Sequence, residues 1–170
     1  QELFTARFEE FFDGEGIVFD KLHEFNKEYQ HQLSTLIFFR DNGYELIKEL
    51  KGRIKQYAVT NGSYNVQKHK LEKSGLKELF EDCFISDQIG VEKPNVEFFD
   101  HVKKAIGPLA DDEMIIVGDS LTSDMKGGNN AGILCCWYNP FEKKDSKGLK
   151  IDYEIRNLRE IKEIVFGKEN

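Results

Sequence analysis

No apolar run in this 170-residue sequence approaches the ~20 residues that a bilayer-spanning helix needs. The longest, 36–39 and 133–138, are far shorter, which excludes a membrane-spanning helix. Cysteine is scarce. Cys83, Cys135 and Cys136 make an odd count with two members adjacent, which suits neither a disulfide framework nor a CxxC metal knuckle, so a reducing cytoplasm is the expected compartment. Positive charge is in deficit, with 24 Lys and Arg against 31 Asp and Glu and a formal net charge of −7. Surfaces that track a nucleic-acid backbone concentrate Lys and Arg on one face, so no nucleic-acid partner is expected. Internal repeats and low-complexity tracts are also lacking.

What is present is a core. The chain is 39% hydrophobic and 12% aromatic, and a single domain of this length buries roughly two thirds of its unfolded surface. Between residues 3 and 33, apolar and aromatic residues such as Phe8, Phe12, Leu22, Phe25 and Tyr29 recur at helical spacing and predict two helices, parted by Asp13-Gly14-Glu15-Gly16. From Asp41 the texture changes. Helices are expected at 44–51, 63–74, 95–106, 123–130 and 159–166, alternating with short β-leaning runs at 56–60, 83–86, 114–117, 133–138 and 153–155. A lysine-rich loop with little core material is expected at 142–150. Such alternation predicts a parallel sheet flanked by helices, a Rossmann-like three-layer α/β fold.

Ligands in open α/β sheets sit beyond the carboxyl ends of strands, so the informative residues are those where apolar runs stop. Val59-Thr60-Asn61-Gly62-Ser63 offers a hydroxyl and backbone N–H groups at a helix start, which suits an anion; taken alone it reads first as a glycine-assisted turn with Ser63 as N-cap. Val117-Gly118-Asp119-Ser120, followed by Asp124, places two carboxylates around a strand end, which suits Mg²⁺ or a turn and a favourable helix-dipole charge. Glu92-Lys93-Pro94-Asn95 puts a lysine just before a helix start, and alone it reads as a solvated loop. The three occur in that order, with Thr60, Lys93 and Asp119 separated by 33 and 26 residues. On one parallel sheet they converge on one edge. A hydroxyl, an ammonium and a pair of acids there describe a phosphoryl-transfer site.

These residues resemble the haloacid dehalogenase-like hydrolases. Val59-Thr60-Asn61-Gly62 is similar to that family's second motif, Lys93-Pro94 to its third and Gly118-Asp119-Ser120-Leu121-Thr122-Ser123-Asp124 to its fourth. Segments 85–95, 126–132 and 136–140 resemble the pyrimidine 5′-nucleotidase branch, which carries a helical cap. The resemblance implies a Mg²⁺-dependent phosphomonoesterase acting through an aspartyl-phosphate on a small phosphorylated metabolite, expected to be a nucleoside 5′-monophosphate. A dehalogenase, a phosphomutase or a non-catalytic phosphate-binding module are the alternatives. It also implies roles: Thr60, Asn61 and Gly62 hold phosphate oxygens, Lys93 balances the charge of nucleophile and phosphate, Asp119 binds Mg²⁺, and Asp124 is a second ligand or supports the first. Residues 1–40 become the remainder of a cap and 41–170 the core, with a monomer or weak homodimer expected.

One motif of the family is absent. Its nucleophile and its acid/base lie in an Asp-x-Asp pair ending the first strand, and no Asp-x-Asp occurs in this sequence. Asp20, which ends Ile17-Val18-Phe19-Asp20, is rejected as a substitute because position 22 is Leu and the flanks are helical. The missing strand would be the shared neighbour of those at 56–60 and 114–117, whose backbone groups would otherwise stay unpaired. The expectation is a longer protein with about 60–80 residues upstream, and no activity for the chain alone. His23, His31, His69 and His101 share no metal-ligand spacing and are expected to be satisfied or to face solvent. Alternation is expected to bury one of Cys135 and Cys136.

Overall fold

The computed structural model describes residues 2–144 and 148–167. Two helices come first, α1 (Glu2–Gly14) and α2 (Leu22–Thr35). They meet edge to face through aromatic rings, Phe8 lying 5.0 Å from both Phe25 and Tyr29, while Phe12 stacks on Phe19 of the connecting segment at 4.9 Å. The remaining elements alternate. α3 (Gly43–Leu50), β1 (Tyr57–Thr60), α4 (Tyr64–Lys73), β2 (Asp82–Ile85), α5 (Ser86–Ile89), α6 (Val96–Ile106), β3 (Ile115–Gly118), α7 (Lys126–Ala131), β4 (Leu134–Tyr138), β5 (Tyr153–Ile155) and α8 (Ile161–Phe166) follow in order. All strand pairings are parallel, so the α/β fold read from the alternation is the one formed. α2 packs against α4.

Three local expectations need correction. The helix expected at 123–130 begins earlier, because the Ser120 hydroxyl accepts the Ser123 N–H and opens a five-residue π-helical segment, Leu121–Met125, ahead of α7. Ser63 stands at the N-cap position of α4, but its side chain makes no capping bond; the Tyr64 N–H donates instead to the Asp87 carboxylate at 2.8 Å. Both adjacent cysteines are fully buried, not one. β4 is covered on both faces, as parallel strands are: Cys135 and Trp137 join a cluster with Phe84, Phe98, Phe99 and Met125, while Cys136 and Tyr138 join Leu46, Leu50, Ile155 and Ile161. Of the loop expected at 142–150, residues 145–147 lie outside the described residues.

The strands do not form one sheet. β1 pairs with β2, and β3 pairs with β4, which pairs with β5. The Leu134 N–H donates to the Met114 carbonyl, so even-numbered residues of β3 turn their backbone groups toward β4. Ile115 and Val117 turn theirs to the other edge, which pairs with no strand among the described residues, and Val117 is 39% exposed. Among the described residues, one edge each of β1 and β3 pairs with no strand.

Candidate active site

Lys93 lies between the two sheets. Its ammonium donates to the Asp124 carboxylate at 2.6 Å and to the Val59 carbonyl at 3.0 Å, so one side chain ties the end of β1 to the turn after β3. Lys93 is 7% and Asp124 8% exposed. The backbone of Lys93 is fixed as well: Asn61 Nδ2 donates to its carbonyl at 2.9 Å, and its N–H donates to Asn61 Oδ1 at 3.0 Å. The bond to Pro94 is cis. A lysine predicted on a strand edge is thus a buried cation held at two points through its ammonium and at two more through its backbone.

Asp124 is held from its other side by the Ser120 N–H at 3.2 Å. Gly118 makes this possible. A Cβ there would stand 2.4 Å from Asp124 Oδ2, so any side chain at 118 would evict the carboxylate that folds back over the strand end. Asp119 is different. Its carbonyl accepts the Trp137 indole N–H at 3.2 Å, which pins the backbone to β4, while its side chain is exposed. Among the described residues the Asp119 carboxylate has no hydrogen-bond or ion-pair partner.

The loop after β1 is more occupied than its sequence implies. The Gly62 N–H, expected to meet phosphate, donates to the buried Ser86 hydroxyl at 3.1 Å. The Thr60 hydroxyl makes a long 3.3 Å bond to the Asn61 carbonyl. Ser86, Asp87 and Trp137 were not among the predicted site residues. Ser86 and Asp87 directly follow β2, and the strand-end rule that selected Thr60 and Asp119 would have selected them too. The structure thus brings Thr60, Asn61, Lys93 and Asp124 together, with Asp119 directly after β3.

Asp119 is chemically suited to a hard cation, since it is an ionisable oxygen donor with no competing partner, whereas Asp124 is engaged by Lys93. Among the described residues no three His, Cys, Asp or Glu side chains gather into a cage. A divalent ion bound by one or two carboxylates, with water and phosphate completing its shell, is the habit of Mg²⁺. Thiol chemistry does not fit. Burial raises the Cys135 thiol and pushes Cys136 up to about 12, which suppresses the reactive thiolate. All four histidines are exposed on helices. Asp20 sits in the connection between α1 and α2.

Parallel strands that gather a hydroxyl, a lysine and carboxylates at their carboxyl ends define the class: an α/β protein with its working edge at the strand ends. Residues 3–138 match the model of the haloacid dehalogenase-like hydrolases, and the chain belongs to that family. It is 35% identical to the HAD-hydrolase YfnB of Bacillus subtilis over 95% of its own length and 67% of that protein. It is 32% identical to the pyrimidine 5′-nucleotidase PynA of Streptococcus pneumoniae over 95% of the chain and 68% of the relative. The crystal structure of YfnB, described as bound to magnesium and as revealing interdomain movement, superposes with a TM-score of 0.89 at 34% identity, covering 97% of this chain and 72% of that one.

Proposed function

We propose that this site belongs to a Mg²⁺-dependent phosphomonoesterase that hydrolyses nucleoside 5′-monophosphates. The observation that carries the reading is the Lys93 ammonium placed between the end of β1 and Asp124. That is where a phosphate bound at a strand edge requires a fixed positive charge. The Thr60 hydroxyl and the Asn61 N–H serve as phosphate donors, and Gly62 shapes the turn with its φ of 129°. Asp119 is the metal ligand and Asp124 holds Lys93 in place. Bound there, Mg²⁺ supplies neutralisation of the phosphate oxygens. The nucleophile comes from a further strand seated between the open edges of β1 and β3. Its carboxylate attacks phosphorus, the ester oxygen leaves with a proton from a neighbouring acid, and water then cleaves the acyl-phosphate to release phosphate.

On this reading α1 and α2, within residues 1–40, are the remainder of a helical cap, and residues 41–170 are the core without its first strand. The free thiols fit a reducing cytoplasm, with the protein acting as a monomer or weak homodimer. The similarity to PynA, a pyrimidine 5′-nucleotidase, supports the substrate class.

The test is phosphate release from a panel of nucleoside monophosphates and simpler esters, with and without MgCl₂, after the chain is supplied with an apolar strand ending in Asp-x-Asp. Turnover that requires the metal and disappears in Asp119→Asn is expected. A folded, strand-loaded protein with no Mg²⁺-dependent turnover of any ester would refute it. The sequence's lack of Asp-x-Asp favours one second reading, a phosphate-binding module. Calorimetry with orthophosphate and Mg²⁺ separates the two, since binding without turnover in the loaded protein supports the module.

A further inference from the structure

The amino end of α4 follows directly on Thr60-Asn61-Gly62, and a helix amino terminus is an inviting place for an anion. In this chain the first of its N–H groups is already taken, and so is one in the loop before it. The Tyr64 N–H is taken by the Asp87 carboxylate at 2.8 Å, and the Gly62 N–H is taken by the Ser86 hydroxyl at 3.1 Å. Both acceptors come from one place, the first two residues of α5, which begins where β2 stops beside β1. Ser86 is 6% exposed. The third fastening is Asn61, whose amide bonds the Lys93 backbone in both directions.

We infer that Ser86 and Asp87 are positioning residues for the anion pocket: they fix loop 60–64 from the neighbouring strand end and confine an incoming phosphate to Thr60, the Asn61 N–H and Lys93. This rests on the function proposed above and adds residues that touch no substrate. Two consequences follow from the chemistry. An acceptor at 86 is required, because without it the part-buried Gly62 N–H loses its partner and the loop is released. At 87 the oxygen is required and the charge is not. A carboxylate at this helix end satisfies the dipole but adds a negative charge next to the place where an anion must bind. A neutral acceptor therefore keeps the loop in shape while favouring the ligand.

The experiment measures orthophosphate affinity of the chain by calorimetry with MgCl₂ present, together with amide hydrogen exchange at Gly62 and Tyr64. Ser86→Ala is expected to weaken phosphate about tenfold and to speed exchange at Gly62, and Ser86→Thr, which keeps the hydroxyl, restores both. Asp87→Ala is expected to weaken phosphate and to speed exchange at Tyr64, whereas Asp87→Asn keeps the protection and binds phosphate as tightly as the parent or a few-fold tighter. A role in stability alone would lower the unfolding midpoint and leave phosphate affinity unmoved. Parent-like affinity in both alanine variants overturns the inference, as does failure of Thr and Asn to rescue. Absence of phosphate binding by the parent overturns this inference, while the proposed function stands or falls by turnover in the strand-loaded protein.

Discussion

Removing either partner of the Lys93–Asp124 pair should cost far more than removing both. The contact is short, 2.6 Å, and the two side chains are 7% and 11% exposed, so neither charge is solvated when its partner is gone. Breaking a buried pair from one side typically costs about 3–5 kcal/mol, whereas replacing both members by apolar residues of similar size is often neutral. For a chain of this size each kcal/mol moves the unfolding temperature by about 2–4 °C, so Lys93→Met and Asp124→Leu should each lower it by roughly 6–20 °C. The double variant should lie well above the sum of the two losses, a non-additivity of several kcal/mol in a double-mutant cycle. Lys93→Met leaves Asp124 with only the Ser120 N–H, and Asp124→Leu leaves the ammonium with only the Val59 carbonyl. The assay is urea unfolding of the four proteins at low and at high salt, since a buried pair is screened little. Single losses below ~1 kcal/mol that add simply, the behaviour of an exposed pair, would refute the reasoning.

Gly118→Ala drives a Cβ to 2.4 Å from Asp124 Oδ2 and should cost about 1–3 kcal/mol in urea unfolding; Gly14→Ala, which meets nothing within 4 Å, should be neutral or slightly stabilising. Asp152 accepts the Cys135 N–H at 2.9 Å and pairs with Lys150 at 2.9 Å, and these interactions, the backbone bond foremost, hold its carboxyl below the usual range. A depressed carboxyl contributes stability that is complete above its unfolded value of about 3.9 and is lost as pH falls through the folded value. The stability gap between the parent and Asp152→Asn should therefore narrow on acidification below about pH 4, and a constant gap in urea midpoints would show that the charge is irrelevant. Burial raises all three thiols, so Ellman's reagent at pH 8 should label Cys83, the half-buried one, well before Cys135 and Cys136, with all three reacting in denaturant.

Most of the fold was legible because its strands are short apolar runs that stop abruptly and its helices carry clear periodicity. In α6, Phe98, Phe99 and Val102 are the buried stripe, as their spacing requires. Two things were not legible. Alternation suggested one buried cysteine in β4, and that rule fails for a strand sandwiched between two clusters, which only tertiary context reveals. The occupancy of individual N–H groups was hidden as well. That Gly62 donates to Ser86, and Tyr64 to Asp87, depends on β2 lying beside β1 in a register that pairs Thr60 with Ile85; a sequence distance of 23 or 24 residues does not encode it.

The position of Lys93 links folding to chemistry in this chain. A lysine is poorly suited to a protein interior unless oxygen atoms surround it, and here a backbone carbonyl of β1 and a carboxylate from the segment after β3 do so. The cation therefore takes up one carbonyl on the open edge of β1 and ties it to the segment after β3, at the carboxyl end, where a bound anion or a further carboxylate can share its remaining proton. A ligand that arrives there brings negative charge beside the buried Asp124 carboxylate, which only this ammonium and one N–H compensate. The loop must then present its donors in a fixed array to make the exchange favourable. Fastening that loop at Asn61, Gly62 and Tyr64 limits how far it can relax, so in the function proposed above the anion's donors are in place before it binds and little ordering entropy remains to be lost.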